Sequence, residues 1–184
     1  AVLASGKARN VATVTREEAR VDFLVNGSSQ SYEVKLPSHR QAALECLSIL
    51  SQHGIPIDAA GHRFVHGGRE LTRTTRVTPD SQKLLEECLP LAPIHNPNSY
   101  AVVQVYREQL PAIPQYVVFD TAFHAGMPQA ARLYALPVAL ADQYGFQKYG
   151  FHGLSYQYVS AKAASLLGIP FEKVKLIMCH LGTG

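Results

Sequence analysis

Four polar side chains stand beside or just after short apolar runs, where a ligand could reach them. Arg63 lies in the run His62-Arg63-Phe64-Val65, and Asp120 closes Tyr116-Val117-Val118-Phe119. His152 follows Tyr149-Gly150-Phe151, and His180 follows Leu176-Ile177-Met178-Cys179 and opens Leu181-Gly182-Thr183-Gly184. Ligands of open α/β sheets bind at strand ends. Each residue alone also has an ordinary structural use: an Asp there caps a turn, and a His beside glycines binds a carbonyl. Together they supply cations, one carboxylate and a glycine-bearing loop. Phosphoryl transfer needs that set, because its catalysis is mainly positioning and charge stabilisation.

Other patterns carry less. His62 and His66 share a helical metal-site spacing, but Phe64-Val65 between them and Gly67-Gly68 after them indicate a strand. Four strand residues span roughly 13 Å, too far for one metal ion. Gly153-Leu154-Ser155-Tyr156-Gln157 starts like a nucleophile elbow, yet Gln157 stands where the second glycine belongs. Ser155 is better placed as a helix cap or an early helical residue, so a serine hydrolase has weak support. No G-x-x-x-x-G-K-[ST] loop occurs.

The elements that must position these groups alternate in type. VDFLVNGSSQSYEVKL reads as a hairpin over about 21–36, turning at Asn26-Gly27. Ser38 opens a helix to about His53, with a possible capping box to Gln41. HRFVHGG reads as a strand, Thr78-Pro79 opens a helix to near Leu89, and Asn96-Pro97 repeats that signal for a helix to about Leu110. Strands are expected at Gln115–Phe119 and Val174–Cys179, and a helix at Leu154–Leu167 stopped by Gly168. Such alternation indicates α/β construction. A loop of small residues over 121–128 marks a joint, giving expected units of 1–122 and 123–184.

Composition bounds the partners. Of the 184 residues, 47% are hydrophobic and 17% charged, as in a globular protein. The 17 Lys and Arg against 14 Asp and Glu form no basic stripe, so nucleic acid is not expected. No apolar run approaches the roughly 20 residues of a membrane span. The opening AVLASGKARN lacks a basic, then apolar leader. Cys46, Cys88 and Cys179 sit in apolar patterns and read as buried thiols of a reducing compartment, so cytoplasm is expected.

Read in order, GHRFVHGG, LAPIHNPNS, FDTAFHAGMP, YALP, KYGFHGLSYQYVS and CHLGTG resemble the acetate kinase family, over Leu36 to Gly184. The resemblance implies part of an actin/hexokinase/Hsp70-like (ribonuclease H-like) two-domain fold with mixed sheets. It divides the chain into an acyl-side unit at 1–122 and the start of a nucleotide unit at 123–184. The implied reaction moves the γ-phosphoryl of ATP, with Mg2+, to acetate or propionate, giving an acyl phosphate and ADP. A carboxylate nucleophile is ionised near neutral pH and needs no general base. Asp120 is then a positioner of water or Mg2+ rather than a general base, with no direct metal ligand assigned.

The same resemblance gives Arg63 the carboxylate or phosphoryl oxygens, and His152 the oxygens of the transferring group. It assigns nucleotide phosphate to His180, Leu181, Gly182, Thr183 and Gly184, and a supporting place to His95. Val65, Ile94 and Phe151 would wall the acyl tail; each is also ordinary core material. Acetate and propionate differ by one methylene, about 1 kcal/mol of apolar binding, and are not separated. Family members form homodimers.

Two departures stand out. Thr183 replaces the family's usual Asn, and no N-A-G-S-S-S-x-K loop is present. Val25-Asn26-Gly27-Ser28-Ser29 only imitates that loop and reads as the hairpin turn. The expectation is an internal piece of a kinase, inactive by itself. The alternative is a degenerate member kept as a binding module, which retention of Arg63, Asp120 and His152 together disfavours.

Overall fold

The computed structural model describes residues 2–13 and 18–182. Its first layer is an antiparallel sheet of β1 (Ala4–Arg9), β2 (Arg20–Val25) and β3 (Ser28–Glu33). Asn26 and Gly27 both take positive φ, 51° and 78°, which is the two-residue turn that matches strand twist. The turn sets Val25 opposite Ser28 and Arg20 opposite Glu33. Strand parity then turns Val21, Phe23 and Val25 to one face, where they pack with Leu36, Ala42 and Ile49. The last two belong to α1 (His39–Gln52), whose first turn is capped by Ser38 Oγ accepting from the Gln41 N–H at 3.1 Å.

A second sheet runs in the order β4 (Ala60–Phe64), β6 (Gln115–Phe119), β5 (Thr75–Arg76). β4 and β6 are parallel, with Arg63 level with Val118 and Phe64 level with Phe119. One face is apolar. Phe64, Val117 and Phe119 join Leu71, Leu85, Cys88, Tyr100 and Val103 in a closed core, supplied by α2 (Pro79–Glu87) and α3 (Asn96–Gln109). Thr78 and Ser81 form a reciprocal capping box at the start of α2. Arg40 of α1 pairs with Glu108 of α3, joining the two layers.

Beyond β6 the chain makes α4 (Gln129–Arg132), α5 (Val138–Tyr144) and α6 (Gly153–Leu167). The sequence reading did not foresee α4 and α5. Gly168 stops α6 in the left-handed conformation, φ 64°, with its N–H returning to Ala164 O and Ser165 O.

Three expectations need correction. Val174–Cys179 forms no strand. Val174, Leu176 and Met178 alternate half-buried against exposed neighbours, but no described strand lies alongside to complete a ladder. Side-chain alternation does not make a strand without a partner for its backbone. Cys179 is consequently exposed and Cys46 only partly covered, leaving Cys88 as the buried thiol. Asn96 does not cap α3: it is the first helical residue, and its buried amide holds two other segments.

Candidate functional site

The parallel pairing of β4 and β6 explains how Arg63 and Asp120 meet. Alternation in β4 buries His62 and Phe64 and turns Arg63 to the opposite face. Val118 is level with Arg63, and Asp120 follows it by two residues on the same face. The guanidinium reaches forward and makes a two-pronged pair. Nε donates to Oδ1 at 3.0 Å and Nη2 to Oδ2 at 2.6 Å. Asp120 is 1% exposed while the Arg63 side chain is 57% exposed, so one pole of the pair is closed and the other faces solvent. The hydrogen bonds from Arg63 to Asp120 hold its pKa above the usual arginine value. Nη1 and the remaining Nη2 hydrogen are left for an anion.

His152 arrives through the backbone. Asp120 N–H donates to Phe64 O at 3.0 Å, extending the ladder, and Asp120 C=O accepts from the Gly153 N–H at 2.9 Å. The approach is so close that a Cβ on Gly153 would lie 2.1 Å from that oxygen. His152, just before it, adopts the left-handed conformation at φ 54°, where side chains other than glycine are uncommon. Its ring stacks on His180 with centroids 4.3 Å apart, and Tyr156 adds a tilted contact to His180 at 6.1 Å.

The other expected residues are placed unequally. Val65 is buried directly after β4, and Phe151 is 42% exposed beside His152. Ile94 is 77% exposed in the turn before α3, so it forms no enclosed wall here. His95 immediately precedes α3 and makes no side-chain cap bond. Leu181 is 90% exposed and Gly182 lies in a bend. Thr183 and Gly184 fall outside the described residues.

Residues to which the sequence reading gave no part in the site hold this arrangement. Asn96 Nδ2 donates to His66 O (3.0 Å) and Cys88 O (2.7 Å), and its Oδ1 accepts from His66 N–H (3.2 Å). Thr121 Oγ1 accepts from Gly67 N–H at 3.1 Å. His66 Nδ1 accepts from Gly68 N–H, which leaves the ring neutral, and burial lowers its pKa. That ring packs against Tyr149 and Phe151, at 4.4 and 5.6 Å. His124 Nε2–H donates to Phe151 O at 3.1 Å, and a Cβ on Gly150 would strike its ring at 2.2 Å. The signal for these contacts was the glycines and histidines inside the motifs themselves.

His62 and His66 have separate duties. His62 is buried and donates from Nε2 to Gln115 Oε1 at 3.0 Å, and burial lowers its pKa. Among the described residues no group of three His, Cys, Asp or Glu side chains is placed to hold a metal ion. Ser155 lies in the first turn of α6. No described helix is long and apolar enough to cross a membrane.

The sequence profile of the Acetokinase family matches residues 4–184. The acetate kinase of Geobacillus kaustophilus strain HTA426 is 42% identical over 173 residues, covering 91% of this chain and 44% of the relative. That of Bacillus subtilis strain 168 is 41% identical over 165 residues, covering 87% and 42%. Two solved structures share the fold. Porphyromonas gingivalis acetate kinase superposes with a TM-score of 0.80 at 37% identity, covering 94% of this chain and 45% of that one. A Francisella tularensis propionate kinase gives 0.82 at 33% identity, covering 91% and 43%. The chain thus spans less than half the length of these relatives, and its mixed α/β fold is the corresponding part of theirs.

Proposed function

We propose, from the premise that this chain belongs to the acetokinase family, that it carries the carboxylate-binding part of a kinase forming acyl phosphates. The substrates in this reading are acetate or propionate and ATP, and the products are an acyl phosphate and ADP. The observation that carries it is the Arg63–Asp120 pair at the ends of two parallel strands, with the backbone next to His152 tied to Asp120 by the Gly153 N–H.

The geometry suggests a division of labour. Asp120 spends both carboxylate oxygens on Arg63, so its first task is to fix the fork's orientation. The free N–H groups of Arg63 then meet the carboxylate or the phosphoryl oxygens in a set plane. His152 donates to the oxygens of the group in transfer, where donors aimed at developing charge are worth most. Val65 and Phe151 supply the apolar side of the acyl site. The deprotonated acid attacks γ-phosphorus, the bond to the β,γ-bridging oxygen breaks, and the electron pair leaves with ADP; no base is needed.

The described residues do not by themselves make a Mg2+ site: Asp120 is 1% exposed with both oxygens on Arg63, and no described group of three His, Cys, Asp or Glu side chains is placed to hold a metal ion. Mg2+ commonly keeps several waters beside one or two carboxylates and the phosphates, so in this reading it would arrive with ATP and meet Asp120 only through water. When bound with ATP it supplies charge neutralisation. Residues 1–122 would form the acyl side and 123–184 the beginning of the nucleotide side, with His180 to Gly184 meeting phosphate. A cytoplasmic homodimer accompanies this reading by likeness to the family.

Titration of the 184-residue chain with acetate and propionate, followed by amide shifts, tests the proposal. Saturable shifts around Arg63, Val65 and Phe151 that vanish in R63Q are expected. Shifts that persist unchanged in R63Q overturn it. Hydroxamate trapping of acyl phosphate from ATP and either acid measures turnover. In a complete enzyme V65A should improve use of the longer acid relative to acetate, and an unchanged preference would remove Val65 from the acyl site.

A further inference from the structure

A cavity of about 290 Å³ lies between the loop after β4 and the segment around α4 and α5. Neither Arg63, Asp120 nor His152 lines it. Its walls carry three cationic side chains, Arg69, Arg132 and Lys148, against one carboxylate, Asp142. Among the described residues, neither arginine has a carboxylate within ion-pair distance. Arg132 is the more telling. Its Nε is shut off from solvent and makes no hydrogen bond, the one such buried side-chain atom among the described residues. A covered polar atom without a partner is costly, and a half-buried guanidinium without a counter-charge more so.

The surroundings hold these charges in place. Arg132 C=O accepts from the Lys148 N–H at 2.7 Å, tying the end of α4 to the segment that leads to Tyr149. Lys148 Nζ rests 5.7 Å from the centre of the Tyr134 ring. Gly145, at φ 72°, lies against the Arg69 guanidinium, which a Cβ there would touch at an ordinary contact distance of 3.4 Å. Thr121 adds a hydroxyl to the lining.

We infer that this cavity binds a small phosphate-bearing anion, inorganic phosphate or a phosphate ester with a short tail. Two unpaired guanidinium forks match a tetrahedral oxyanion better than a monoatomic ion, since each offers paired donors. The volume is at the low end for ligand clefts and suits a small anion better than a whole nucleotide. The occupant would rest against Thr121 and Gly150. Those residues directly follow Asp120 and precede Phe151, so binding stiffens the two segments that carry Asp120 and His152. The site stands independently of the carboxylate-binding reading.

Calorimetric titration of the 184-residue chain with inorganic phosphate tests this, with amide shifts of Gly145 and Gly150 locating the ion. R132Q and R69Q should each weaken binding about tenfold or more, R132K should weaken it less, and D142N should tighten it. Binding should fall as salt rises. Arg69 is exposed, so R69Q gives the reading even where R132Q perturbs folding. R63Q separates the two sites: phosphate binding that survives R63Q and fails in R69Q and R132Q supports the assignment. Absence of saturable binding overturns it. So does loss in R63Q with the other two unchanged, or equal loss in all three.

Discussion

The two sheets are built from opposite materials. The β1–β2–β3 sheet is made of near neighbours: Val25 pairs with Ser28 across a two-residue turn, and its charged groups, Arg9, Arg20 and Asp22, meet on the surface. The β4–β6–β5 sheet is tied by distant residues whose polar groups are covered. Arg63 reaches Asp120, His62 reaches Gln115, Gly67 reaches Thr121, and Asn96 closes on His66 and Cys88. The first sheet could lose a polar pair to water at little cost. In the second, each lost partner leaves a buried group unsatisfied. The residues proposed to carry the chemistry belong to the second kind, and its rigidity would aim them.

The largest test of that contrast is Gly153→Ala. The added Cβ would sit 2.1 Å from Asp120 O, against backbone that cannot swing aside. A loss of at least about 4 kcal/mol in urea unfolding is expected, with the Arg63 side-chain resonances displaced. A cost below about 1 kcal/mol would show that α6 is not seated on Asp120. Next comes Asn96→Ala, which strands two carbonyls and one N–H in the core; about 3 kcal/mol is expected, again by urea unfolding.

Acid should weaken the second sheet through His62 and His66. Both have folded pKa values below the ordinary imidazole value because of burial. The unfolded chain therefore binds more protons once pH falls below about 6.5. Stability is full above that pH and declines as pH drops toward the lowered folded values, with at most about 1.4 kcal/mol per pH unit for each ring. Unfolding midpoints from pH 7.5 to 5, with H62Q as comparison, check this: H62Q should flatten the slope. The smallest effect belongs to the first sheet. Gly27→Ala forces a side chain into φ 78° and should cost about 1 kcal/mol, with Arg63 resonances unmoved.

What was readable in the sequence follows the same division. Asn26-Gly27, Thr78-Pro79 and Gly168 announce their structure because a turn, a cap and a helix stop are decided by residues within a few positions. Asn96-Pro97 likewise opens its helix where expected, with Pro97 in the first turn, but Asn96 does not cap it, because its amide is recruited by His66 and Cys88, 30 and 8 residues away. Val174–Cys179 has the alternation of a strand, but the partner that would make it one is not among the described strands. The residues proposed for the site were picked out by ordered motifs rather than by physics. Their supports, His124 against Gly150 and Gly153 against Asp120, depend on close approaches that no spacing rule encodes.

The Gly153 amide held on the Asp120 carbonyl has a mechanical consequence. It works as a pivot pin between the end of β6 and the start of α6, with no side chain to cushion it. A tilt of α6 therefore cannot leave the carboxylate behind, and whatever swings that helix also re-aims the guanidinium clasped to it.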